Sequence, residues 1–485
     1  MAGSISQSKP LQFAILLAVF FILYFSIEPS ENNFLWRLPA LIAWVPGTLN
    51  NSVEYLMFDW MPIEIYNAEI EDYEETALLR IITRSISGAL LFCITFIREV
   101  LIGGVKTIVA FTSWDFIRAN SWAHWPAMPW TVVTGLAVIL GYALSGRWLA
   151  VFVGSALIYI AVFGQWEPAM ETLSLVLIAA PLSVLLGLAL GVWAFKSRAV
   201  EATLMPLLNV AQTMPHFSYL VPVTVFFGVG DHAGAIATII FATPPMIRLT
   251  LLGLKAVSPE VIEAGMMNGC GRFQLMFRVM IPTARHDILV GVNQVIMQCL
   301  AMAVIASFIG AKGLGFNLLL ALNQLRIGQA LELGVCIVLI ALVLDKLSLG
   351  WANKQIDYFA DLSFVERHKY AFIFAGILLA GIILAYIGAF IFEGGINYFY
   401  LIPHNKGITT ENFWQSGVDW MVDNWYQGLQ VFNKALIIYV LVPMKNAYLS
   451  MPVSATFVLA MGVGYIIGGI RSALVVGGFL LFIAL

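Results

Sequence analysis

The sequence predicts an all-α fold of many membrane-crossing helices, and three observations carry that prediction. The 485 residues are 60% hydrophobic, with a mean hydropathy of +0.89. Only 11% are charged, against roughly 25% in soluble domains. The apolar residues recur in runs approaching the ~20 that cross a hydrocarbon core about 30 Å thick. Together these exclude a soluble enzyme, a disordered chain and a nucleic-acid binder. The balance of 25 Lys and Arg against 28 Asp and Glu, net −3, leaves no basic surface for a polyanion. Cys93, Cys270, Cys299 and Cys336 form no CxxC pair, so neither a disulfide framework nor a metal site is implied. The six histidines are dispersed and lack ligand spacing.

The first span is 11–27, following Lys9. It is too uniformly apolar for a surface helix, and Glu28-Pro29-Ser30-Glu31 after it offers no signal-peptide cleavage site. The stretch 78–118 is apolar but carries Arg80, Arg84, Arg98, Glu99 and Lys106. A charge at a bilayer centre costs about 3 kcal/mol or more. This stretch and 35–49 are therefore expected as interfacial helices, with the acidic run Glu64 to Glu75 solvated between them. Further spans read as 131–145, 148–163, 172–195, 204–229, 233–254, 288–309, 330–349, 371–393, 452–468 and 470–485. Trp122, Trp125 and Trp130 suit an aromatic belt. Lys255, Arg272, Arg278 and Arg285 place the 255–286 loop in the cytoplasm. Alternation then puts Lys9, Arg147, Lys196/Arg198 and Lys346 inside as well.

The chain also matches itself. A shift of 323 superposes Met128-Pro129 on Met451-Pro452 and Gly141-Tyr142 on Gly464-Tyr465. It also pairs Gly146 with Gly469, Ala150 with Ala473 and Gly154 with Gly477. A shift of 360 superposes Lys9 on Lys369 and Asp59-Trp60-Met61 on Asp419-Trp420-Met421. Since 360 − 323 = 37, the second copy lacks about 37 residues of the region between Met61 and Met128. Both copies start inside, which makes this a parallel repeat. Three regions are expected: a leading helix with a periplasmic or interfacial segment (1–127), a permeation core (128–350), and the start of a second, incomplete copy (351–485). The final apolar run, Phe479 to Leu485, sits only two spans into that copy. The expectation is either the leading part of a longer fused tandem protein or a decayed second copy.

The cytoplasmic loop holds the strongest local signal. Ser258 is a good N-cap, with Pro259 at the first helical position. A short helix should run through Glu263-Ala264 and stop at Asn268-Gly269-Cys270-Gly271. A second should carry Phe273, Met276, Phe277, Met280 and Ile281 as one apolar stripe, ending at Pro282. Such a compact knob needs a partner groove, in this chain or another.

The stretch Glu263-Ala264-Gly265-x3-Gly269-x9-Val279-x-Ile281-Pro282 resembles the coupling loop of binding-protein-dependent ABC importer permeases, whose usual form is EAA-x3-G-x9-I-x-LP. Gly265, Val279 and Ile281 depart conservatively, and every spacing is intact. Gln212-Thr213-Met214-Pro215, Tyr219-Leu220-Val221-Pro222, Phe227-Gly228-Val229-Gly230 and Pro244 to Thr250 resemble the glycine betaine/proline-type members. So do Gly291-Val292-Asn293-Gln294, Val304 to Ser307 and Lys312-Gly313-Leu314-Gly315. The likeness covers about 128–350. It implies a type I ABC importer permease fold in the bacterial inner membrane; the leading span and the partial second copy read from the repeat go beyond the usual single-copy permease.

The resemblance further implies a cytoplasmic ABC ATPase dimer docked on the 263–282 knob and a periplasmic or tethered substrate-binding protein. It also implies a second permease half, either the second copy or another chain. No cofactor is expected in this chain, which has no GxxxxGK[ST] loop; ATP and Mg belong on the ATPase. The implied substrates are small quaternary or zwitterionic amines: glycine betaine, choline, proline betaine or trimethylamine N-oxide. Asn293 and Met297 share one side of the 288–309 span, with Gln294 and Gln298 adjacent. These amides either line the pathway or hydrogen-bond between helices. Met214, Phe217 and Tyr219, around Pro215, are the other lining candidates, with core packing their bland alternative. Gly187-Leu-Ala-Leu-Gly191 allows close helix approach. The rival functional class is an ATPase-independent secondary transporter or channel, which calls for acidic residues within the spans; Asp345 lies at a cytoplasmic end.

Overall fold

Apolar runs of membrane length fold as helices, and the breaks between them fall at glycine and proline. The structure is a computed structural model that describes residues 9–26, 55, 62–67, 72–103, 105–108, 122–125, 128–353, 372–381, 383 and 409–484. The chain divides into two units, Arg80–Asp419 and Met1–Leu79 with Trp420–Leu485. Among the described residues, seven helices are long and apolar enough to cross a membrane. The many-helix architecture expected from the sequence is the one observed. Two short antiparallel hairpins were not anticipated: β1 (Pro62–Asn67) with β2 (Asp72–Ala77), and β3 (Val105–Ile108) with β4 (Trp122–Trp125).

In the unit Met1–Leu79 with Trp420–Leu485, α1 (Lys9–Ser26) lies along the helical stretch 453–484. Leu16 fills the space beside Gly462, and the Tyr24 and Ser450 hydroxyls lie 2.9 Å apart.

The larger unit contains α2 (Leu78–Arg98), which continues as a π turn to Gly103. Where separate interfacial helices were expected over 78–118, one continuous helix runs to Gly103, long and apolar enough to cross a membrane, followed by a strand at Val105–Ile108. Arg80 and Arg84 occupy its first two turns and Arg98 its end, so 85–97 is uncharged and one continuous helix forms. Ile94 is buried, Leu90 packs against the cluster around Tyr219 and Leu220, and Arg98 pairs with Asp231 at 3.2 Å. The 35–49 stretch lies outside the described residues.

Helices α3 (Trp130–Ser145) and α4 (Arg147–Val162) form a hairpin that turns at Gly146. The core proper consists of α5 (Trp166–Lys196), α8 (Asp231–Lys255), α11 (Arg285–Ile305) and α13 (Ile327–Asn353). Met170, Met246, Val295 and Leu333 are among its fully buried residues, joined by Val153 and Ile160 of α4. The Gly187 and Gly191 expectation holds. A Cβ on Gly187 would run into Met246, and one on Gly191 would lie 2.7 Å from the Thr250 Cβ, so α5 and α8 approach closely only because both positions are bare.

The expected 204–229 span is instead two helices, α6 (Arg198–Thr213) and α7 (Leu220–Phe227), joined by a 3-10 turn at His216–Tyr219. Pro215 disfavours helical backbone at the preceding residue, and Met214 is extended at φ −66°, ψ 136°. Gly228 and Gly230 both take positive φ in the turn into α8. Asp231, at the head of α8, also accepts from the Lys312 N–H at 2.8 Å. Past α12 (Leu314–Asn323) and α13, helix α14 (Phe372–Gly381) packs Gly381 against Val132 of α3.

A further helix, α15 (Glu411–Leu436), runs on through a π turn and α16 (Val442–Leu449) without burying any residue. No span is expected there from the sequence; Glu411, Asp419, Asp423, Lys434 and Lys445 lie along it. The chain then enters α17 (Val453–Ala484), one helical stretch bent at Gly469.

Candidate coupling loop and translocation cleft

The loop after α8 folds as the spacing predicts. Helix α9 (Pro259–Met267) starts with proline and ends at Asn268, whose side chain donates to the Ala264 carbonyl at 2.8 Å. Gly269 follows at φ +76°, and the Cys270 N–H returns to the Gly265 carbonyl at 3.2 Å. This left-handed turn reverses the chain with no side-chain clash, since nothing lies within 4 Å of a Cβ there. Ser258 holds the N-cap position but does not accept from the helix backbone. Its hydroxyl and the Glu260 N–H instead bond the exposed Glu260 carboxylate and hold it below the usual carboxylate range.

The second helix, α10 (272–283), begins where the Gly271 N–H donates to Gln274 Oε1 at 3.1 Å. Its centre, Leu275–Met280, is a π turn. The extra residue in that turn rotates the side chains relative to an α-helix, and the expected single stripe divides. Met276 and Met280, each 4% exposed, join the core with Leu254, Val257 and Ala284. Phe273 and Phe277 stay exposed with their rings 4.4 Å apart, and Met266 and Met267 are exposed at the end of α9. Glu263, Ala264, Gly269 and Pro282 are exposed, while Val279 and Ile281 are half-buried. Gly265 is buried beneath α10, where a Cβ would meet Leu275 Cδ1 at 2.7 Å. The knob is thus anchored by two methionines and presents two phenylalanines.

Above it, a cleft of about 590 Å³ opens between the α6–α7 break, α8 and α11. Met214, Gln294 and Gln298 line it, as do Gln212, His216, Phe241 and Arg248. His216 lies against Phe241, ring centroids 4.4 Å apart. The other pathway candidates are placed elsewhere. Asn293 turns to α13, donating to Asp345 Oδ1 at 3.2 Å and accepting from the Ser348 hydroxyl. Tyr219 is buried and donates to the Ala211 carbonyl across the break. Phe217 packs edge-on to Phe308 at 5.2 Å, and Met297 is exposed outside the lining. One face of α11 therefore serves helix packing and the adjacent one the cleft.

The family described as "Binding-protein-dependent transport system inner membrane component" matches residues 183–357, a span containing the whole knob and every cleft residue. The trimethylamine N-oxide transport system permease protein of Pelagibacter ubique is 55% identical, over 98% of this chain and 71% of that one. The chain belongs to this permease family. A second trimethylamine N-oxide permease, from Ruegeria pomeroyi, is 37% identical over 80% of this chain and 58% of its own length. The glycine betaine permease protein of Bacillus subtilis is 39% identical over 46% of this chain and 78% of that one. The chain is a multi-pass membrane permease subunit, and family membership sets aside the ATPase-independent reading.

One acidic residue of this permease was passed over in the sequence. Glu332, in α13, is 2% exposed and has no cationic partner among the described residues. It accepts from Gln165 Nε2 (3.1 Å), Thr409 Oγ1 (3.1 Å), Thr410 N (2.7 Å) and Thr410 Oγ1 (2.8 Å). Beside it Arg326 grips Glu411 through both carboxylate oxygens at 2.8–2.9 Å, and the Gly328 N–H reaches Gln415 Oε1. A carboxylate inside an apolar run was the available signal. Its partners lie 167 residues before it and 77–78 after it, so only the folded chain reveals that its carboxylate is met by hydrogen bonds.

Proposed function

We propose that this chain is the membrane subunit of an ATP-driven importer in the bacterial inner membrane, carrying a small zwitterionic or quaternary amine. The substrate class is that of the relatives' names, with trimethylamine N-oxide favoured by the extent of the first match. A cytoplasmic ATPase dimer, which holds ATP and Mg, docks on the 263–282 knob. A periplasmic or tethered binding protein delivers the solute. The second permease half is the second copy of this chain or another chain.

The observation that carries the reading is the division of the knob. Phe273, Phe277, Met266 and Met267 form an exposed apolar cap, while Met276 and Met280 root the same helix among α8 and α11. A partner closing on the cap would move the base of both helices, and α8 and α11 are two walls of the cleft. The Glu263 carboxylate, exposed beside the cap, is available to a partner's donors.

Gly269→Asp tests it. The turn has room for a side chain, so the change adds a charge beside the cap and a modest conformational cost, about 1–2 kcal/mol or less for Asp. Uptake of trimethylamine N-oxide with ATPase and binding protein present should fall at least tenfold, with membrane insertion unchanged. Uptake at the unsubstituted rate would overturn the coupling role.

A further inference from the structure

We propose that Arg248 anchors the negative end of a dipolar solute in the cleft, making the pathway favour solutes that carry a negative oxygen over net cations such as choline. The proposal rests on reading the chain as a small-solute permease and names which of the candidate solutes the membrane path itself accepts.

Arg248 lies seven residues before Lys255 at the end of α8, about 10 Å into the span at 1.5 Å per residue. Three other basic residues near helix ends are paired: Arg98 with Asp231, Lys255 with Glu201 and Arg326 with Glu411. Arg248 is different. Among the described residues it makes no ion pair; its guanidinium donates to the amide oxygen of Asn209, and its Nε is buried with no partner. None of the residues lining the cleft is acidic. An un-neutralised charge within a span is costly, and it persists where it meets a solute or a water-filled path.

The remaining lining suits the other end of such a solute. Gln294 and Gln298 supply amides, and the Gln298 Oε1 is itself buried and unpartnered. Phe241 and Met214 offer apolar surface for methyl groups, and an aromatic face attracts a methylated ammonium. A carboxylate or N-oxide oxygen can take two N–H bonds from a guanidinium, which presents a planar fork of donors. Choline brings the same ammonium but no negative oxygen, and would face like charge at Arg248 with no carboxylate to offset it. The cleft volume of about 590 Å³ is within the range of small-molecule sites.

Saturation-transfer NMR on the full chain assembled with its ATPase, without binding protein, reads this site directly. Trimethylamine N-oxide should give a signal that falls at least tenfold in Arg248→Gln and returns in part in Arg248→Lys; choline should give none. Equal trimethylamine N-oxide signals in the unsubstituted protein and Arg248→Gln would overturn the proposal. So would no signal in the unsubstituted protein, or a choline signal as strong. With binding protein added, Arg248→Gln should lose ATP-driven uptake while keeping binding-protein-stimulated ATP hydrolysis; losing both in an intact assembly would make Arg248 structural and also overturn it. If the unsubstituted assembly lacks ATP-driven uptake altogether, the importer reading fails; normal uptake without the NMR pattern sinks only the Arg248 assignment.

Discussion

Gly146, between α3 and α4, takes φ +80°, ψ −164°, and Gly469, 323 residues later within α17, takes φ +72°, ψ −166°. Around each, the same contacts close the hairpin. A Cβ on Gly141 would meet Ala150 at 3.4 Å, and one on Gly464 would meet Ala473 at 3.3 Å. Gly154 faces Val138 as Gly477 faces Met461, the same pair of positions 323 residues on. Outside that seam the two diverge. Ala156 is 3% exposed against the core, whereas its counterpart Phe479 is 61% exposed. Leu157 is buried, and Leu480 is half-buried. The inner seam is encoded locally by small residues. The outer face depends on which helices stand beside it: α5 and α13 for the first hairpin, α1 for the second.

Matched substitutions probe this contrast, and the largest effect should come from the outer face. Leu157→Ala should destabilise the first hairpin by about 2–5 kcal/mol, as for a buried leucine. Leu480→Ala should cost less than half as much, read as thermal unfolding shifts in the same lipid. Equal losses would mean that the second face is as well packed as the first.

Next come the kinks. Gly146→Ala and Gly469→Ala should each cost about 1–3 kcal/mol, because this backbone region is essentially restricted to glycine. Nothing lies within 4 Å of a Cβ at either, so the two costs should match. A clear inequality would show that the kinks are not equivalent. The smallest effect is expected for Phe479→Ala, within about 0.5 kcal/mol. A loss above 1 kcal/mol would show that a partner covers that face.

Much of this was legible in residue order. Pro259, Gly269 and the spacing between them define a helix and a left-handed turn through backbone preferences that act within a few residues. The two arms of the first hairpin, expected at 131–145 and 148–163, are found at Trp130–Ser145 and Arg147–Val162 for the same reason. The charged run 78–118 misled because charge was counted over the whole stretch, while α2 carries its charges at the ends. The amphipathic stripe of the knob was visible, but its division was not: hydropathy periodicity assumes regular α-helix, and the π turn at Leu275–Met280 shifts the side chains off that period. Asn293 and Gln294 adjoin in sequence yet face a neighbouring helix and a cleft respectively.

The sequence by itself determined that the chain is a helical membrane protein, where most helices begin and end, that a glycine-turned knob interrupts the core, and that two segments 323 residues apart share one spacing of small residues. These follow from hydropathy, proline and glycine, whose effects are local. Only the tertiary structure decided which apolar faces are buried and which await a partner. It also decided that the buried Glu332 is met by four hydrogen bonds and that Arg248, in a cleft, has no ion pair among the described residues. Burial and charge compensation are properties of pairs of residues, and here the partners come from helices far apart along the chain.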